Sequence, residues 1–141
     1  MSEFDLDYFL GTWIVERSIE DARGQESGAF EGTATFSPEG DGLRFDEVGT
    51  VRFAAYRGRA TRRLYYSRGE DGSLHVSFAD GHHFVALCFL DGATRDLHHC
   101  GQDLYEITTV VVSPDHFEEV WRVHGPAKHY RATTGYSRVR D

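Results

Sequence analysis

The side chains best able to bind or react cluster in four short stretches in the second half of the chain. The stretches hold His82-His83, His98-His99-Cys100 with Asp103, His124, and Lys128-His129. Imidazole, thiol, carboxylate and ammonium groups could bind an anionic head group, coordinate a metal ion, or pair a nucleophile with its base. Paired CxxC motifs, G-x-S-x-G, a P-loop and G-x-G-x-x-G do not occur, so no catalytic residue is assigned.

Strand-like segments separated by Gly- and Asp-rich turns must position these groups. Alternating apolar residues predict ten strands, at 12–21, 28–37, 43–53, 60–68, 73–79, 82–89, 94–100, 103–113, 117–124 and 128–139. Asp80-Gly81 is typical of a two-residue hairpin turn. Short hairpins between all the strands predict an all-β fold: a closed up-and-down antiparallel β-barrel in one domain over residues 1–141. Closure requires the first and last strands to pair, which removes exposed edges.

Trp13 indicates which end of this barrel is closed. It opens the first strand, directly after a short amphipathic segment, Phe4 to Leu10, that we expect to form a helical plug. Arg138 occupies an inward-facing position of the last strand at the same end of the barrel as Trp13, so its side chain can cover the indole. We therefore predict that Trp13 is buried at a plugged floor and that Arg138 stacks on it.

Hairpin topology sorts the turns onto two ends of the barrel. The Trp13 end collects the turns near 38–42, 69–72, 90–93 and 113–116. The opposite end collects those near 22–27, 54–59, 80–83, 100–103 and 124–128, and with them six of the eight histidines. We therefore expect the cup to open at this histidine-rich end.

Three interpretations of the histidine-rich end stay open at the level of sequence. The histidines could be solvated loop residues, the mouth of a site for an anionic or polar head group, or ligands of a metal, for which His98, Cys100 and Asp103 have suitable side chains. We predict no metal. Neighbours on a strand point to opposite faces, so at most one member of each adjacent histidine pair faces the cup.

Alternation also predicts which polar residues lie inside the barrel. Arg17 and Glu47 fall on inward positions of the first and third strands, and the strand between them carries the small residues Gly32 and Ala34. The two charges can therefore meet, either as a structural ion pair or as a polar anchor for a ligand. With the upper wall and the mouth, the candidate ligand-binding set is Arg17, Glu47, His98, Cys100, Tyr105, Trp121, Lys128 and Tyr130.

Composition restricts the class of partner. The chain has 141 residues, a formal net charge of −8, fourteen Arg and a single Lys, Lys128. An acidic chain without basic blocks is a poor nucleic-acid or membrane-surface binder. No transmembrane run or secretion signal is recognised, so we expect a cytoplasmic protein in which Cys88 and Cys100 are free thiols. The oligomeric state is left open, with a homodimer as one option.

Phe9-Leu10-Gly11-Thr12-Trp13 resembles the lipocalin and calycin motif in which Gly-x-Trp opens the first strand. In that superfamily a basic residue near the end of the last strand packs on the tryptophan, the position that Arg138 has here. Ten strands resemble the fatty-acid-binding branch, although 22–27 is too short for its two-helix lid. The resemblance implies a small-molecule cup without naming the ligand.

Longer stretches are similar to a family of bacterial proteins known only as a domain of unknown function. They are Phe9 to Trp13, Phe30 to Phe36, His98 to Tyr105, and Trp121 to Tyr130. That family brings no known activity, so the resemblance assigns no catalytic residue.

The leading functional hypothesis is a binding protein, without a cofactor, for a partly apolar small molecule with a polar or anionic end. The alternative is a cofactor-independent lyase or isomerase of a small aromatic or polyketide-like acid. In it Arg17 or Lys128 holds a carboxylate, and Tyr130 or Glu47 serves as acid and base. A haem-binding barrel with a mouth histidine as axial ligand is a third hypothesis.

Overall fold

The computed structural model describes residues 6–21, 26–69, 73–87, 92–126 and 128–140, in one short helix and ten strands. The elements are α1 (Leu6–Phe9), β1 (Gly11–Asp21), β2 (Glu26–Glu39), β3 (Gly42–Phe53), β4 (Tyr56–Arg68), β5 (Leu74–Phe78), β6 (His83–Leu87), β7 (Ala93–Cys100), β8 (Asp103–Ser113), β9 (His116–His124) and β10 (His129–Arg138). Cys88 lies outside the described residues, as do the predicted turns near 22–27, 69–72 and 90–93 in whole or in part.

All ten strands join one antiparallel sheet in the order β6-β5-β4-β3-β2-β1-β10-β9-β8-β7. The predicted pairing of the first and last strands is confirmed, from Trp13↔Arg138 to Asp21↔Tyr130. The sheet curls into a nearly closed barrel whose seam lies between β6 and β7. The amide N–H of Ala86 donates to Asp96 Oδ2 across this seam at 2.7 Å, so a side chain bridges the two strands.

Glycines allow one tight turn and one close approach between neighbouring strands. Gly81 has a φ of 91°, the left-handed region that a tight hairpin after Asp80 requires. Gly32 pairs with Gly49 across β2 and β3, and a Cβ at Gly32 would lie 2.2 Å from the Val48 carbonyl oxygen. The close backbone approach accounts for both glycines on this inward row.

The plugged floor has the predicted architecture. Trp13 is fully buried, its Nε1 donates to the Phe9 carbonyl at 2.9 Å, and the Arg138 guanidinium carbon lies 4.2 Å from the ring centroid. Arg138 also donates to the carbonyl oxygens of Leu10 at 2.8 Å and Tyr8 at 2.6 Å. The last strand therefore fastens the helical plug to the floor, and the prediction for Trp13 and Arg138 is confirmed.

The inward faces of β1, β2, β3, β5, β8, β9 and β10 follow the predicted alternation. Buried residues on these faces include Val15, Phe36, Phe45, Ile107 and Tyr136. In β4, β6 and β7 the apolar residues do not alternate regularly, and the structure shows which of their side chains face inward. β4 turns Arg62, Leu64 and Tyr66 inward, β6 buries both Phe84 and Val85, and β7 turns Thr94 and His98 inward.

Candidate functional site

A cavity of about 330 Å³ opens at the end of the barrel opposite the Trp13 floor. The residues that line it are Arg62, Arg63, Leu64, Phe78, Phe84, His98, Cys100, Tyr105, Trp121 and Tyr130. Five of the eight predicted ligand-binding residues are among them. Its size falls in the range of small-molecule sites. The cavity therefore brings most of the predicted set together, and below we call it the cup.

A second depression of about 490 Å³ is larger but differs in character. It is lined mainly by outward residues of β3 and β4, such as Asp46, Val48 and Arg63. Asp46 and Arg63 are already paired there, with Arg63 Nε 2.7 Å from Asp46 Oδ1. An open groove on the outer face, whose outward charges are already paired, offers a ligand less apolar burial than the cup does. The smaller, aromatic cup is the better candidate.

Rings on β6 to β9 build the aromatic wall of the cup. The Phe84 ring lies 5.1 Å from Trp121 and 5.2 Å from His98, and Tyr105 lies 6.1 Å from Trp121. His98 faces inward because β7 pairs it with Tyr105 of β8. Together with Phe84 it fills the β6–β7 seam, where the wall consists of side chains instead of a backbone ladder.

The rim carries a short polar chain on its β8–β10 side. The Lys128 ammonium donates to the Tyr105 hydroxyl at 3.4 Å and lies 3.5 Å from Asp103 Oδ2. The hydrogen bond to Tyr105, followed by the charge of Asp103, raises the pKa of Lys128. Burial raises the pKa of the neighbouring Tyr130 hydroxyl. Lys128 itself lies at the rim and is not one of the residues that line the cup.

Beneath the cup, Arg17 and Glu47 form a bidentate ion pair across the small residues of β2. Arg17 Nη1 donates to Glu47 Oε1 at 3.0 Å and Nη2 to Oε2 at 2.8 Å. Arg17 also donates to the Thr134 hydroxyl at 2.8 Å and to the Tyr136 hydroxyl at 3.3 Å. Every nitrogen of this guanidinium therefore has an acceptor, as expected of a structural group.

Arg62 is the important residue that sequence reasoning missed. Its guanidinium lies within cation–π distance of the rings of Phe45 and Trp121, with centroid distances of 5.4 and 5.2 Å. Nη2 donates to the Tyr136 hydroxyl at 3.5 Å. Nε is buried and lies 3.5 Å from Glu47 Oε1, but it has no hydrogen-bond acceptor among the described residues. Unlike Arg17, Arg62 makes one long hydrogen bond and one long ion pair and is otherwise contacted by rings, so its guanidinium keeps hydrogen-bonding capacity.

The carboxylates under the cup differ in their protonation behaviour. Burial acts to raise the pKa of Glu47, but Arg62 and Arg17 outweigh it and hold the pKa below its usual value. Burial dominates at Glu119 and raises its pKa, although Arg62 and the hydrogen bond from Trp121 Nε1, 2.6 Å from Oε1, oppose it. Glu119 was not predicted as a site residue. Its place among the inward-facing positions of β9 is the sequence feature that could have identified it.

The structure separates the predicted site residues into three groups. His98, Cys100, Tyr105, Trp121 and Tyr130 line the cup, Lys128 lies at the rim, and Arg17 and Glu47 form the layer beneath. Their roles in binding stay predictions. Cys100 is a free, exposed thiol.

The other mouth histidines lie outside the cup. His82 is exposed with its Nδ1 2.9 Å from Asp80, and the His124 and His129 rings contact each other on the exposed surface. Over residues 6–21, 26–69, 73–87, 92–126 and 128–140, no three His, Cys, Asp or Glu side chains are grouped as metal ligands would be. No described helix is long and apolar enough to cross a membrane.

The fold is a plugged, nearly closed ten-stranded antiparallel barrel of the lipocalin and fatty-acid-binding-protein type, with an aromatic cup. The chain belongs to a family of unknown function (DUF6314), whose sequence model matches residues 9–138. No curated protein matches it.

Three solved structures share the fold at low sequence identity. The S-type phycobiliprotein lyase CPES from Guillardia theta superposes with a TM-score of 0.69 at 10% identity, over 96% of this chain and 91% of the lyase. A de novo designed fluorescence-activating β-barrel has a TM-score of 0.52 at 15% identity, over 95% and 96% of the two chains. A redesigned β-barrel has a TM-score of 0.52 at 13% identity, over 99% and 100%.

Proposed function

We propose that the protein binds a small, partly apolar molecule in the cup and that the anionic end of the ligand contacts Arg62. The observation that carries this proposal is the contrast between the two inward arginines. Every nitrogen of Arg17 has an acceptor in Glu47, Thr134 or Tyr136. Arg62 lines the cup with a single hydrogen bond, at 3.5 Å, and a buried Nε that has no acceptor among the described residues.

The energetics favour an anion over a neutral group at this position. A buried guanidinium N–H without an acceptor costs free energy, and a charged acceptor forms the strongest hydrogen bonds that it can make. At the effective dielectric of a partly buried site, unit charges about 4 Å apart attract by about 4 kcal/mol before the ligand loses its water. The aromatic wall adds about 25 cal/mol for each Å² of apolar surface buried.

The structural neighbours lend the proposal general support. One is a phycobiliprotein lyase and another is a fluorescence-activating barrel. Barrels of this fold therefore serve more than one activity, and the argument for this chain depends on the side chains of its own cup.

Native mass spectrometry of freshly purified protein, followed by denaturation, tests the proposal. We expect a bound small molecule of acidic character, which is released on unfolding and quenches Trp121 fluorescence when it is added back. The other tryptophan, Trp13, is fully buried at the floor, so a Trp121→Phe variant should lose the quenching. A ligand that leaves Trp121 emission unchanged but binds elsewhere would contradict the proposal.

A lyase or isomerase is a second candidate because of one observation at the rim. The Lys128 ammonium donates to the Tyr105 hydroxyl at 3.4 Å beside the cup, and a phenol paired with a cation is a suitable proton donor or acceptor. Incubating the co-purified molecule with excess protein separates the two functions. A binder returns the molecule unchanged, whereas an enzyme returns a product of altered mass or spectrum.

A further inference from the structure

We infer that the ligand is a flat, conjugated acid with a single carboxylate and that Arg62 is the residue that selects it. This inference rests on the proposed function, since it names the chemical class of the molecule in the cup. It stands on the charge arrangement under the cup, on the geometry of the Arg62 guanidinium and on the shape of the wall.

The buried charges leave room for one negative charge. Arg17 and Glu47 neutralise each other through a bidentate pair in which the Glu47 side chain is only 3% exposed. Two arginines line the cup. Arg63 is 50% exposed and pairs with Asp46 at 2.7 Å, whereas Arg62 makes one hydrogen bond, to Tyr136 at 3.5 Å, and lies 3.5 Å from Glu47. A dianion such as a phosphate monoester on Arg62 would bring a second negative charge close to the Glu47 carboxylate, and like charges repel strongly in a buried site.

The orientation of Arg62 favours a planar acceptor. The guanidinium is planar, and the rings of Phe45 and Trp121 contact it at 5.4 and 5.2 Å, which limits its movement. A carboxylate can accept two parallel N–H bonds in such a plane. The structural alternative, that Arg62 exists to hold Glu47, is weaker because Arg17 already bonds both carboxylate oxygens at 3.0 and 2.8 Å.

The wall of the cup favours a ring system over a flexible chain. Phe78, Phe84, Tyr105 and Trp121 supply ring faces and edges within one cavity, with Phe84 4.6 Å from Phe78 and 5.1 Å from Trp121. At the packing density of protein interiors, a cavity of 330 Å³ holds about 250 Å³ of ligand. A fused two-ring acid fits this limit and can pack against the rings without losing chain entropy.

Four probes of matched size separate charge, geometry and shape: 2-naphthoate, 2-naphthamide, 2-naphthyl phosphate and decanoate. Binding is measured by isothermal titration calorimetry on the wild type, on Arg62→Gln and on the control Arg122→Gln. Arg122 follows Trp121 in β9 but is 43% exposed and contacts Glu106. Circular dichroism verifies that each variant is folded, and Arg62→Lys is used if Arg62→Gln is not.

In the wild type, we expect 2-naphthoate to bind at least about tenfold more tightly than the amide, and also more tightly than the phosphate and decanoate. The preference over the amide should fall to within about twofold in Arg62→Gln, be reduced in Arg62→Lys, and persist in Arg122→Gln.

Each opposite result overturns a named part of the inference. Equal binding of 2-naphthamide and 2-naphthoate would show that the cup does not select a carboxylate. Tighter binding of 2-naphthyl phosphate would contradict the preference for a single charge, and tighter binding of decanoate would contradict the preference for a flat ligand. In all three cases a cup that binds one of the probes leaves the proposed function standing. If none of the probes binds and no ligand co-purifies, the proposed function fails and the inference fails with it.

Discussion

Replacing Arg17 with methionine should destabilise the protein far more than the same replacement at Arg62. Arg17 is 14% exposed and makes four short or moderate hydrogen bonds, two of them to a Glu47 carboxylate that is 3% exposed. Removing one partner of a buried pair costs about 3–5 kcal/mol. Arg62 lies 3.5 Å from the abandoned Glu47 oxygen, so we expect the lower end, about 3 kcal/mol.

Arg62→Met loses less because its fixed contacts are weaker. They are one hydrogen bond to Tyr136 at the 3.5 Å limit, an ion pair with Glu47 at 3.5 Å and two ring contacts. The buried Nε without an acceptor offsets part of this gain, which leaves a net contribution of about 1 kcal/mol. Glu47 keeps both hydrogen bonds from Arg17. The expected difference in the free energy of unfolding between the two variants is therefore about 2 kcal/mol, close to 6 °C in Tm for a domain of this size.

Urea unfolding of ligand-free protein, followed by tryptophan fluorescence and far-ultraviolet circular dichroism, measures both free energies. Methionine in both variants keeps much of the apolar stem, so the comparison isolates the guanidinium groups. The division of roles between the arginines is refuted if Arg62→Met costs as much as Arg17→Met.

Three further changes test other parts of the structure. Trp13→Ala should lower the free energy of unfolding by about 3–5 kcal/mol because it empties the floor, and a loss below about 1 kcal/mol in chemical denaturation would contradict the role of the indole. Burial raises the pKa of Glu119 above its usual 4.5, so its stabilising protonated form is lost as the pH rises through the folded-state pKa. Glu119→Gln should therefore gain stability over the wild type between pH 4.5 and pH 8, and a stability difference independent of pH would exclude this. Lys128→Gln should leave the melting temperature nearly unchanged, because the Lys128–Asp103 pair lies at the exposed rim. It should weaken 2-naphthoate binding less than Arg62→Gln does, and a larger loss in calorimetry would contradict this order.

Local sequence pattern was sufficient for the barrel and its floor. In most strands, alternation allows only one choice of core-facing side chains once Trp13 and the hairpin turns define the ends of the barrel. Closure then follows because an unpaired first strand would leave an exposed edge. The Arg17–Glu47 pair was predictable for a similar reason, since Gly32 and Ala34 leave space between two inward charges.

The features that escaped prediction depend on tertiary structure. β4 carries Arg62-Arg63 and Tyr65-Tyr66 as adjacent like residues, so alternation alone gives no inward face. Only the register with β3, which places Arg62 opposite Glu47, decides it. The β6–β7 seam was equally hidden, because hairpin rules predict pairing of consecutive strands and give no information about where curvature separates them.

The crystal structure of the protein with 2-naphthoate tests the central claim most directly. We expect the carboxylate within hydrogen-bond distance of the Arg62 guanidinium, about 2.7–3.0 Å, with the rings against Trp121 and the Arg17–Glu47 pair intact. A carboxylate on Lys128 at the rim, or a ligand in the outer groove of β3 and β4, would contradict the assignment of the cup as an acid-binding site.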